Sequence, residues 1–219
     1  VPYEIGNELR EHLIDIIPED TNKHYDMHDV ITGVIDEDSF FEIHKDYAEN
    51  IIVGFARIAG RSIGIVANQP MPLAGWLDVN TYVKGARFTR FCDCFNIPLV
   101  FLVDTPGFLP STEDEKSRNG LRRPAPKPAF AISEATVPMI GIHIGKCSGI
   151  SRLIMGTQRM GIDFVYSWPS ARVARMAPEE AVERIFKAEI ASSENPDQVR
   201  KEKLAELSGK YYNYPYHAA

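Results

Sequence analysis

Apolar runs and helically spaced apolar residues alternate along most of this chain. "MHDVITGVIDED" (27–38) sets Val30, Ile31 and Val34 at helical spacing ahead of an acidic end and predicts a helix. Strands follow at FFEIH (40–44), NIIVGFARI (50–58) and SIGIVANQ (62–69), and the Ala-Gly-Arg turn predicts a β-hairpin over 50–68. "VNTYVKGARFTRFCDCF" (79–95) reads as a helix with Val83, Ala86, Phe88, Phe91 and Phe95 on its apolar side. That is more aromatic surface than one core face requires, which points to association. "IPLVFLVD" (97–104) and "VPMIGIHI" (137–144) are unbroken apolar runs, as expected of central strands buried on both faces. Helices over Phe130–Ala135, 151–158, 178–190 and 195–210, with a strand at 164–169, complete an α/β alternation. Residues 1–27, including a short helix over Asn7–Ile17, read as a linker, and residues 28–219 as one domain.

Composition narrows the function classes. The chain has 219 residues, 44% hydrophobic and 25% charged, which suits one substantial globular domain. A formal net charge of −6 argues against non-specific nucleic-acid binding. No apolar run approaches the roughly 18 residues of a membrane span, so no membrane role is expected. The three cysteines, Cys92, Cys94 and Cys147, are an odd number without a secretory signal. They predict reduced thiols and a cytoplasmic home, with the mitochondrial matrix as the alternative if a presequence was removed. Cys92 and Cys94 have no second Cys/His pair at ligand spacing, so idle thiols and no metal are expected.

"FLVDTPGF" (101–108) has the form of a GTPase strand and magnesium loop. A phosphate-cradling loop should then lie upstream. Gly145-Lys146 lies downstream, Gly141 is one residue too close to it, and Cys147 occupies the place of the metal-binding hydroxyl. "NKHYD" (22–26) is one residue too long to read guanine. The GTPase reading fails. Pro106 and Gly107 still predict a rigid turn after Asp104, at the end of a buried strand where α/β proteins place ligands. A bare turn with no ligand is the competing reading.

"VGFARIAGRSIGIVANQP", "FCDCFNIPLVFLVDTPGFLP", "SEATVPMIGI" and "FVYSWPSARVARMAPEEAVERIF" decide the matter in combination. They closely resemble the carboxyltransferase (β) subunit of biotin-dependent acyl-CoA carboxylases of the propionyl-CoA and acetyl-CoA type. The resemblance covers about Tyr25 to His217. It implies a crotonase-like α/β spiral of ββα units, equivalent to the C-terminal of the family's two such domains. It further implies transfer of a carboxyl group from carboxybiotin, carried on a partner protein, to the α-carbon of an acyl-CoA. The implied partners are a biotin carboxylase or biotin carrier subunit, an N-terminal carboxyltransferase domain and further copies of the chain. No metal is implied in the transfer step. In the family, paired glycines offer backbone N–H groups to developing oxyanions.

At those loops the sequence departs from the pattern. The family's first Tyr-Gly-Gly stretch is replaced by "EKSRNGLRRPAPKPAF", keeping Gly120 and one of Arg122 or Arg123. Pro124, Pro126 and Pro128 there predict an extended or polyproline segment. In place of Lys-Ala-Tyr-Gly-Gly stands "KCSGI", so Lys146 and Gly149 match and Ile150 replaces the second glycine. Gly149, Ile150 and Gly120 are the expected catalytic backbone donors. Asp104, Pro106, Gly107, Phe108, Arg122, Arg123, Lys146, Asn68 and Gln69 are the expected lining of the biotin and acyl-CoA cleft. Asp104 has a competing role as a brace of its turn, and so do Asn68 and Gln69 as braces of their loop. Arg122 and Arg123 read equally as a solvated pair or a CoA phosphate contact. His143 reads as a core histidine, Trp76 and Trp168 as packing residues. Three accounts stay open: an active enzyme with remodelled loops, a scaffold subunit, or a compensated frameshift over residues 116–129.

Overall fold

The computed structural model describes residues 13, 15–18, 23–109, 126–149, 151–174, 176, 178–193 and 195–207. Its strands are β1 (Phe41–Ile43), β2 (Ile51–Ile58), β3 (Arg61–Asn68), β4 (Leu99–Thr105), β5 (Met139–Ser148), β6 (Phe164–Ser167) and β7 (Arg172–Ala174). They form one sheet in the order β1-β2-β3-β4-β5-β6, with β7 also lying against β5. β1, β2 and β3 are antiparallel neighbours; from β3 onward every pairing is parallel. The helices are α1 (Met27–Val34), α2 (Val79–Cys94), α3 (Pro126–Glu134), α4 (Ser151–Gly156), α5 (Pro178–Ile185), α6 (Lys187–Ser192) and α7 (Pro196–Leu207).

Both faces of the sheet are covered, as the unbroken apolar runs require. Leu99, Phe101 and Val103 pack with Ile51, Val53 and Val66 against Tyr82 and Phe88 of α2, Ile132 of α3 and Ile154 of α4. Leu102 packs on the other face with Ile52, Ile65, Ala67 and Ile144 against Met27, Val30 and Ile31 of α1. Burying each Val, Leu, Ile, Phe or Met side chain among these stabilises the fold by about 1.5–3 kcal/mol. A third cluster, Ala181, Val182, Ile190 and Leu207, joins α5, α6 and α7.

The predicted hairpin is present, and its turn explains why the helix predicted over 27–38 is shorter. Ala59 and Gly60 both have positive φ, 51° and 76°, as the two-residue turn matching strand twist demands. Their N–H groups donate to the Asp36 carboxylate at 2.8 and 2.7 Å. α1 therefore ends at Val34, and its acidic tail caps the hairpin. α2 begins at a reciprocal Asp78–Thr81 cap and stops where Asn96 turns left-handed, at φ 55°.

Other expectations need correction. The small residues Gly85 and Ala86 bring α2 close to the sheet, with the Gly85 backbone over Ile51. The stripe facing the core therefore includes Tyr82, Ala86, Thr89 and Cys92, while Phe91 and Phe95 are 46% and 61% exposed and pack against each other, Phe91 also against Phe55. Pro126 and Pro128 lie in the first turn of α3, not in an extended segment; first-turn N–H groups have no helical partner, so proline loses nothing there. The helix predicted over 178–190 bends at Phe186, so that α5 and α6 both reach α7. The strand predicted over 40–44 narrows to β1, that over 164–169 stops at Ser167, and the helix predicted over 151–158 ends at Gly156. β7 was not foreseen: three residues are too few to carry a period. Most of the helix predicted over Asn7–Ile17, Pro124 and residues 208–210 lie outside the described residues.

With β4 flanked on both sides and covered on both faces, amides of Leu99–Val103 and Met139–Ile144 should be among the slowest to exchange with solvent. Native-state hydrogen exchange measures this. Fast exchange in either segment would contradict the layered core.

Candidate functional site

The carboxyl ends of β3, β4 and β5 lie side by side. β3 ends at Asn68, β4 at Thr105 and β5 at Ser148, and Thr105 pairs directly with Cys147. Gly107 and Gly149, each two residues beyond that pair, therefore leave the sheet at the same end.

The turn after β4 is held by the segment that follows β3. Leu77 N–H donates to Gly107 O at 2.9 Å, and Leu109 N–H donates to Leu77 O at 2.9 Å. Thr105 Oγ1 donates to Gly75 O at 2.8 Å, and the Trp76 ring packs over the Gly107 backbone. Phe108 meets the ring of Tyr82 edge-on at 5.1 Å. The expected rigid turn over Asp104–Phe108 is thus present, closed by backbone pairing as well as by Pro106.

Beside it, β4 and β5 lose register. Val103 pairs with His143 and Thr105 with Cys147, so two steps along β4 are met by four along β5. Such a bulge frees backbone groups inside a protein, where each must find a partner. Asp104 supplies one: its Oδ1 accepts from Lys146 N–H at 2.8 Å. Ser170 Oγ donates to the Ile144 carbonyl at 2.8 Å and satisfies another. The close approach of the carboxylate requires glycine at 145, because a Cβ there would fall on the Asp104 carboxyl group. The other oxygen, Oδ2, accepts from the Tyr25 hydroxyl at 2.7 Å. Asp104 is 8% exposed, and burial raises its pKa despite the opposing hydrogen bonds from Tyr25 and Lys146. Tyr25 is likewise raised by burial and by the adjacent carboxylate. Asp104 is therefore turned inward as a brace, the competing role that the sequence left open.

Asn68 and Gln69 are also inward. Asn68 Oδ1 accepts from Asp104 N–H at 3.1 Å. Gln69 Oε1 accepts from Met27 N–H at 3.2 Å, and its Nε2 donates to Asp26 Oδ1 at 2.6 Å. Asp26 also meets His28 Nδ1 at 2.7 Å, and His28 Nε2 reaches Glu42 Oε2 at 2.9 Å. Burial works to lower the His28 pKa, but hydrogen bonds to Glu42 and Asp26 outweigh it and the net shift is upward. Tyr25–His28 thus bracket the ends of β3 and β4 and reach the middle of the edge strand β1. The sequence reading missed Tyr25 and His28, since it placed the first in a linker and gave the second no role. It also missed Lys84, whose Nζ donates to the carbonyls of Tyr47 at 2.7 Å, Ala48 at 3.3 Å and Ile51 at 2.8 Å. A charged residue within the α2 stripe was the available signal.

Gly149 is the open part of the site. Its φ of 67° suits glycine, and a side-chain carbon built there would meet nothing within 4 Å among the described residues. Lys146 is half-buried on the same strand end, on β5 itself and not on a loop after it. Gly120, Arg122, Arg123 and Ile150 lie outside the described residues. His143 is a core histidine, contacting Ser167 Oγ and Gly156 O, each at 3.2 Å; its pKa is lowered chiefly by burial. Cys92 and Cys147 are buried and both thiols are pushed up to about 12 by burial, while Cys94 is exposed. No group of three or more His, Cys, Asp and Glu side chains among the described residues could hold a metal ion. No described helix is long and apolar enough to cross a membrane.

Comparison with known proteins agrees along the whole chain. The carboxyl transferase domain family matches residues 3–219. The chain is 44% identical over 218 residues to the carboxyltransferase subunit of propionyl-CoA carboxylase from Haloferax mediterranei, covering 100% of this chain and 42% of that protein. It is 47% identical over 207 residues to the methylmalonyl-CoA carboxyltransferase 12S subunit of Propionibacterium freudenreichii, covering 94% and 39%. The solved transcarboxylase 12S structure with methylmalonyl-CoA bound, described as a hexamer, superposes with a TM-score of 0.88 at 43% identity, over 100% of this chain and 42% of that one. The chain thus spans about two fifths of the length of these relatives. The crotonase-like α/β reading of the fold holds.

The bracket makes stability depend on pH. A histidine raised above its ordinary value near 6.5 stabilises the fold fully below that value, and the contribution fades as pH rises through the folded value. His28→Gln should therefore lower the melting temperature more at about pH 6 than at about pH 9. Thermal unfolding of both proteins across that range checks it; an equal gap at both ends would contradict a charged His28 held between Asp26 and Glu42.

Proposed function

The chain belongs to the carboxyl transferase domain family, and from that premise we propose that it is one half of a biotin-dependent acyl-CoA carboxyltransferase. The reaction moves a carboxyl group to the α-carbon of a short acyl-CoA such as propionyl-CoA or acetyl-CoA. Biotin on a partner protein supplies that group when bound. The observation that carries the reading is the open backbone at Gly149, beside a braced strand end, in a chain that matches carboxyltransferases throughout.

What this chain contributes is electrostatic. A backbone N–H at Gly149 is suited to an oxygen that gains charge during transfer, and a fixed donor of this kind needs no reorganisation at the moment of reaction. The rigid Asp104–Phe108 turn forms a neighbouring wall, and Lys146 adds positive charge at the same strand end. The proposed partners are the acyl-CoA, a biotin carboxylase or biotin carrier subunit, an N-terminal carboxyltransferase domain, and further copies of the chain. The exposed Phe91 and Phe95 support association. A scaffold role is the second reading. It is favoured by Pro126 and Pro128, which remove two N–H groups from the first turn of α3.

Label exchange between methylmalonyl-CoA or malonyl-CoA and biotin, with an N-terminal half from a relative added, separates the two. The carboxyltransferase reading predicts exchange that Gly149→Pro reduces about a hundredfold or more. Absence of exchange, or exchange indifferent to Gly149→Pro, overturns it.

A further inference from the structure

Asp104 poses a physical problem that the proposed reaction does not solve by itself. Its carboxylate is buried, both oxygens accept from protein donors, and no described cation is in direct ion-pair contact with it, the charges of Lys146 and His24 acting from further away. A buried charge without a direct ion pair costs stability, so packing alone does not account for a carboxylate here.

The two oxygens serve two different elements. Oδ1 takes Lys146 N–H in the middle of the β5 bulge, and Oδ2 takes the hydroxyl of Tyr25, from the segment leading into α1. At this bulge β5 also changes neighbours: His143 and the residues before it pair with β6, whereas Lys146–Ser148 pair with β7. The second half of β5 is therefore a separate short rod. Its place beside β4 is set by the Thr105–Cys147 pairing and by the Asp104 carboxylate. Gly149 is the next residue.

We infer that Asp104, held by Tyr25, is a positioning residue for carboxyl transfer, fixing Lys146–Ser148 and through them the backbone donor at Gly149. The inference rests on the carboxyltransferase reading for its consequence in catalysis, but the grip itself is measurable without turnover. A carboxylate is the group that fits, because it accepts from two donors at once, whereas an amide accepts at one end only and would leave the Tyr25 proton without this acceptor. Asp104→Ala removes both acceptors and leaves Lys146 N–H and the Tyr25 hydroxyl without their partner. Tyr25→Phe removes one bond and leaves the bulge intact, so it serves if the first variant folds poorly.

Two measurements decide the matter. In native-state hydrogen exchange, both variants should speed the amides of Lys146–Ser148 by about tenfold or more while Leu99–Val103 keep their rates. In the complemented label-exchange assay, kcat should fall about tenfold to a hundredfold, with KM for the acyl-CoA within about twofold, as expected when a donor is misplaced and binding is spared. If the unaltered chain shows no turnover, the carboxyltransferase reading falls, and exchange at Lys146–Ser148 still decides whether Asp104 grips the rod. Unchanged exchange there overturns the inference. So does uniform acceleration throughout β4, which marks a general structural role, or an unchanged kcat in both variants of an active protein.

Discussion

A buried backbone N–H must be paired, and the Asp104 carboxylate meets that demand at the one place where the β4–β5 ladder breaks. The rest of the site follows from this pairing. Gly145 gives the carboxylate room, Tyr25 takes its second oxygen, Asn68 orients its backbone and Ser170 satisfies the carbonyl on the far side of the bulge. Remove the carboxylate and three strand ends lose their common reference point. The fold supports the arrangement because β4 and β5 are buried on both faces, so no water can replace the missing partner cheaply.

The result is a division between stiff and open parts. Asn68, Gln69, Asp104 and the Asp104–Phe108 turn are committed to internal bonds, whereas a side chain at Gly149 would meet no described residue. Such a contrast suits chemistry that relies on fixed dipoles, since a donor held in place before reaction stabilises charge without moving. The same logic extends to the periphery. Lys84 ties the backbone of Tyr47, Ala48 and Ile51 to α2, and burial lowers its pKa against the opposing charges of Glu42 and Glu49. His28 ties the edge strand β1 to the end of β3 through Glu42, Asp26 and Gln69.

The sequence made the frame legible because burial leaves a periodic trace. The runs at 97–104 and 137–144 and the hairpin at 50–68 are where the structure has its central strands and tight turn. What escaped was whatever depends on contacts distant in sequence. The β5 bulge falls where the apolar run 137–144 gives way to Gly145 and Lys146, and nothing local distinguishes Gly145 as a space for a side chain 41 residues earlier. Tyr25 sits in a polar stretch whose composition suggests a linker, and its partner is 79 residues away. Phe91 and Phe95 fit a helical stripe equally well inside or outside a core, and only the small residues of α2 decide which. The proline segment misled because three alternating prolines suggest an extended chain, while two of them occupy positions in α3 that need no donor.

The central claim is that the fold is organised around the Asp104 carboxylate in the β5 bulge. The most direct test is thermal or denaturant unfolding of Gly145→Ala, which adds one methyl group where the carboxylate sits and changes no charge. The account predicts a loss of about 1–3 kcal/mol, as for other overpacked interiors. Stability equal to that of the unaltered protein would mean that the carboxylate does not occupy the bulge, and would contradict the account.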